Sequence, residues 1–93
     1  MDRQAICQRF ALKVAIAQTR LETLKAKAEA AKAIGELRLI VDLAAKAYAI
    51  HRTLRELKKS GEAAYQQARV DVESRIAHLE QLVRTIEAKF KAA

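Results

Sequence analysis

Residues 34–57, IGELRLIVDLAAKAYAIHRTLREL, decide how the chain folds. At helical spacing they carry one apolar line through Ile40, Leu43, Ala47, Ile50, Leu54 and Leu57. A second line runs beside it through Ile34, Leu37, Val41, Ala44 and Tyr48. A single packed neighbour covers a strip only about 100° wide, so a surface this broad predicts a central helix with a partner on each side.

Working outward, the flanking segments repeat the pattern. From Asp2, a candidate N-cap, the residues Cys7, Phe10, Val14, Ala17, Leu21, Leu24, Ala28 and Ala31 recur at alternating steps of three and four. This is a coiled-coil seam of nearly four heptads. A third seam follows a turn at Ser60 and Gly61, through Tyr65, Val72, Ile76, Leu79, Val83, Ile86 and Phe90, with Arg69 as its one charged core-phase residue. Lys58 and Lys59 precede that turn and Glu62 follows it, each sign at the helix end that its dipole favours.

Gly35 sets the one topological choice. As a left-handed residue after the first helix it gives an all-α, up-down-up three-helix bundle, with helices near residues 3–34, 36–59 and 62–91 in a single domain of residues 1–93. As a glycine inside one long helix, at about 1 kcal/mol, it gives a rod packed against a shorter antiparallel helix and assembled through other chains. The local sequence, without Pro, Asn or Ser, favours continuity. A longer-range match favours the bundle: Lys13, Arg20 and Lys27 each lie sixty residues before Glu73, Glu80 and Glu87. Parallel pairing of these rails places Cys7 level with Glu62 and Gly35 level with Phe90.

Composition supports helices and no sheet. Of 93 residues, 52% are apolar, with twenty Ala, no Pro and two Gly, the usage of continuous helices. The start, MDRQAICQRF, lacks the apolar core of a signal peptide, and no long uncharged apolar run exists, so a cytoplasmic chain without a transmembrane segment is expected. The segment AICQRFALKVAIAQ has the balance of an interfacial membrane helix. Its apolar residues nevertheless follow a packing seam, and burial against protein is the simpler reading.

The net charge is +7, and its excess lies early. Residues 1–34 hold seven Lys/Arg against three Asp/Glu, residues 35–59 six against three, and residues 60–93 five against five. An anionic partner is expected for the first two thirds. With the Ala47 line inward, Arg38, Arg52 and Lys59 fall on the opposite side of the central helix, joined by Arg55 and Lys58. Counting Ala45 between Arg38 and Arg52, the line advances in steps of seven residues, about 10.5 Å, and such an array can neutralise phosphates without reading bases. DNA or RNA backbone is therefore the candidate ligand, with an acidic protein as the alternative.

Ile6, Phe10, Leu12, Ile16, Leu39 and Val41 are the candidate oligomer interface, because one partner helix does not cover so much apolar surface. A homo-oligomer is expected. Catalysis is not expected. His51 and His78 lack a ligand at i+3 or i+4, Cys7 is alone, and no phosphate loop or nucleophile motif is present. No cofactor or metal is expected, and the chain reads as a binding or structural module.

Overall fold

The structure, a computed structural model, describes residues 2–92. Three helices run up, down and up: α1 (Arg3–Ala30), α2 (Ile34–Lys59) and α3 (Glu62–Ala92). Each packs on the other two, and the bundle measures 47 × 19 × 16 Å. Asp2 caps α1, its carboxylate accepting from the Gln4 N–H at 3.4 Å. Ser60 closes α2 with its hydroxyl donating to the Leu57 carbonyl at 2.9 Å. Arg3 donates to the Ser60 carbonyl at 2.7 Å, which ties the start of α1 to the α2–α3 turn.

The chain does break before the central helix, but not at Gly35. The left-handed residue is Lys32, with φ 55°. The Ala33 N–H bonds the Ala28 carbonyl at 2.9 Å and the Lys32 N–H bonds the Glu29 carbonyl at 3.1 Å. These are the two bonds of a Schellman motif, which satisfies the last carbonyls of α1 and lets Ala33 pack beside Ala28 against the core. Gly35 lies in the first turn of α2 without a positive φ, and a Cβ placed on it meets nothing within 4 Å. Gly35→Ala is therefore expected to raise the unfolding free energy by about 0.5–1 kcal/mol, and Lys32→Gly to raise it by up to about 1 kcal/mol. Urea denaturation of the two variants checks the location of the turn, because a turn at Gly35 gives the first change the opposite sign.

The core is one cluster built from the three seams. Cys7, Val14, Ala28, Ala47, Val72 and Val83 are completely buried. Ala28 and Ala47 let the helices approach closely, while Leu, Ile and Phe fill the wider layers. No charged side chain among the described residues is buried. Arg69, which the spacing places inward, is half-buried, and Ala68 packs against the core beside it. A guanidinium on a flexible stem reaches the rim and avoids desolvation.

Three expectations are corrected by the packing. Ala31, the last member of the first seam, is exposed as the C-cap of α1. The second apolar line of α2 is not covered: Ile34, Val41 and Tyr48 are 66, 53 and 59% exposed, and only Leu37 is half-buried. In a triangular bundle each helix meets both neighbours within one sector, and at 100° per residue these positions lie well outside the sector centred on Ala47. The α1–α3 register also differs. Arg3 reaches Glu62 at 2.9 Å and Arg20 pairs with Glu87 instead of Glu80, so α1 sits further along α3 than a Cys7 level with Glu62 would place it. Ending α1 four residues early moves it along α3, and the regular spacing of acids lets Arg20 find the next one.

Candidate nucleic-acid interface

The outer face of α2 is fixed by what the inner face buries. With Ile40, Leu43, Ala47, Ile50, Leu54 and Leu57 all inside, Arg38, Arg52 and Lys59 are carried to the far side and Arg55 to its flank, while Lys58 stands in the last turn. All five are exposed. The spacing of 14 and 7 residues sets the first three about 21 and 10.5 Å apart along the helix. The helix spacing places Arg38, Arg52 and Lys59 on this face, and the structure leaves all five cations exposed.

Their charge is not internally neutralised. The three ion pairs among the described residues are Arg3–Glu62, Arg20–Glu87 and Arg75–Asp71, and none uses a residue of α2. Glu56 sits four residues after Arg52 without pairing with it. The helix therefore presents six cations against three acids, all of them available to solvent or to a ligand. Ile34, Val41 and Tyr48 stand among these cations on the same side of α2, so the face is mixed apolar and basic. Reading α2 as covered on two sides hid this mixture; assigning its inward sector from the Ala47 line alone exposes it.

No protein-family model, curated protein or solved structure matches the chain. The function must be read from the surface itself.

Between α1 and α3, by contrast, two cations are paired. Arg20 donates through Nε to Glu87 at 2.9 Å and through a second guanidinium nitrogen to its other oxygen. That bidentate bond, with the nearby charges of Arg20, Lys91 and Lys27, holds the Glu87 carboxyl below its ordinary value against a smaller opposing effect of burial. Glu62 is lowered as well, first by the hydrogen bond from Gln66 and then by Arg3. A carboxylate with a lowered folded pKa contributes stability above its unfolded value, about 4.3, and loses it as pH falls through the folded value. Glu87→Gln is expected to cost at most about 1 kcal/mol at neutral pH, the pair being partly exposed, and nothing once Glu87 is protonated. Thermal unfolding of both proteins at pH ~7 and ~2 checks that the gap closes on acidification.

The candidate interface residues divide. Ile6 and Phe10 are 4 and 5% exposed and belong to the chain's own core, so they are not surface residues. The sector of α1 between its two neighbours is wide enough to take Ile6 and Cys7 together. Leu12, Ile16, Leu39 and Val41 are 61, 50, 46 and 53% exposed. Val70, which the seams did not single out, is 68% exposed.

Cys7 is a buried free thiol. Among the described residues no three His, Cys, Asp or Glu side chains gather as metal ligands, and no helix is long and apolar enough to cross a membrane. His78 lines an open groove with Lys46, Ser74 and Arg75 between α2 and α3. Arg75 there already pairs with Asp71 at 3.0 Å.

Proposed function

We propose that the chain is a non-enzymatic helical binding module that associates with itself through its leftover apolar surface and takes a nucleic-acid backbone on the outer face of α2. One observation carries the polyanion reading: every ion pair among the described residues bypasses α2, leaving Arg38, Arg52, Arg55, Lys58 and Lys59 exposed. Such a ladder exchanges condensed counterions for its own charges and gains affinity without sequence preference. Tyr48 is the one aromatic on the face, which is too little for a base-stacking platform. The backbone, and not the bases, is the proposed ligand.

The experiment is a salt titration. Fluorescently labelled duplex DNA or RNA of ~20 base pairs is expected to bind at 50 mM salt and to lose at least about tenfold in affinity by 200 mM. Affinity should differ little between unrelated sequences. No binding at the lower salt rejects nucleic acid and turns the reading to a scaffold whose basic face meets an acidic protein. The apolar residues among the cations favour that second reading, since protein interfaces combine buried apolar anchors with Arg.

A further inference from the structure

Ile34, Val41 and Tyr48 recur every seven residues on α2, with half-buried Leu37 and exposed Ala44 between them. The spacing is that of the three seams inside the bundle, yet nothing among the described residues covers it. Beside it, Val41 and Ala44 line an open groove of about 440 Å³ with Gln18 and Glu22 of α1. A heptad stripe next to a hole is the geometry that receives another helix.

We propose that a second copy of the chain covers this stripe, α2 against α2, antiparallel, with the two-fold axis passing between Ala44 and Ala45. The inference specifies the self-association proposed above and depends on it. A two-fold at this position sets Val41 of one copy level with Tyr48 of the other, so the tyrosine ring enters the groove beside Glu22 as a knob in its hole. Ala44 and Ala45 meet at the axis, where two backbones must approach closely.

Charge selects the antiparallel sense. Parallel alignment stacks Arg55 on its own image. Antiparallel alignment carries Arg55 to the level of Ile34 in the second copy, near the end of the neighbouring α1 that holds Glu29, which forms no ion pair among the described residues. Like-charge contact is thereby replaced by opposite charge. The area is adequate. The 26 residues of α2 span about 39 Å, and with a bundle 16–19 Å thick the flank offers on the order of 700 Å² per copy, close to the ~800 Å² that stable partners each bury.

The pairing takes Arg55 from the polyanion face and leaves the rest of that face outside the contact. Arg38, Arg52 and Lys59 lie on the next stripe round the helix, at the rim of the contact. A rotation about an axis perpendicular to both helices leaves the outward direction unchanged, so the two basic stripes emerge on the same side. The dimer presents them next to each other, a wider positive surface than one copy has.

Light scattering of the protein at ~100 µM is expected to give twice the 10.4 kDa chain mass. Val41→Glu with Tyr48→Glu should remain helical by circular dichroism, both positions being exposed, and should raise the dimer dissociation constant at least about hundredfold. Ala44→Cys should form an interchain disulfide on mild oxidation, since Cys7 is buried, whereas Ala77→Cys on exposed α3 should not. A monomer mass for the unaltered protein overturns both this inference and self-association. A dimer that survives the double substitution and does not cross-link through residue 44 overturns the α2 stripe alone and leaves self-association standing.

Discussion

Ile40→Ala is expected to lower the unfolding free energy by about 2–5 kcal/mol, and Ile34→Ala, six residues earlier on the same helix, to change it by no more than about 0.5 kcal/mol. The two residues are chemically identical and differ only in what surrounds them: Ile40 is 1% exposed and Ile34 is 66% exposed. Truncating Ile40 removes a side chain from the layer that joins all three helices and leaves a cavity which a narrow bundle cannot collapse without moving a helix. Truncating Ile34 removes solvated surface and installs a better helix former. Domains of this size are held by only about 5–15 kcal/mol, so the first change removes a large share of the total. Denaturant unfolding should be followed below ~1 µM chain, where contacts between copies do not contribute. Equal losses at both positions mean that α2 is covered on both apolar lines and that the single-sector packing is wrong.

That contrast marks the boundary of what the residues disclose by themselves. The three seams were legible because a heptad on an α-helix has one geometric meaning: residues from Cys7 to Ala28, from Ile40 to Leu57 and from Tyr65 to Ile86 are the core. The turn was not legible in place. Sequence rules assign left-handed backbone to glycine, and here Lys32 adopts it because the Schellman bonds and the packing of Ala33 beside Ala28 offset the strain. Register failed for a related reason. Acids spaced every seven residues are nearly equivalent partners, and only the true end of α1 decides that Arg20 meets Glu87. The basic face was readable from the inward line that opposes it. Apart from Val41, expected at an interface, the apolar stripe beside it was taken for core, because a list of apolar positions does not state how wide a sector two neighbouring helices cover.

Replacing Arg38, Arg52, Arg55, Lys58 and Lys59 together by Ser is expected to weaken duplex binding by about hundredfold to thousandfold at 0.1 M salt. If two or three of the five meet phosphates at once, each releases nearly one counterion, and each released counterion contributes close to tenfold at that concentration. The control is a second variant with Arg9, Lys13, Lys25, Lys89 and Lys91 replaced by Ser, all of them exposed. Either variant lowers the net charge from +7 to +2, so both lose the same long-range attraction. Only the first loses the array on one face of α2. A general attraction to charge predicts the same loss in both; contact through α2 predicts less than about tenfold loss in the control and a salt dependence close to that of the unaltered protein. The plot of log affinity against log salt separates the two, because its slope counts the phosphates actually neutralised and not the cations the chain possesses. Equal slopes in the two variants would remove α2 as the binding surface even if the protein binds DNA well.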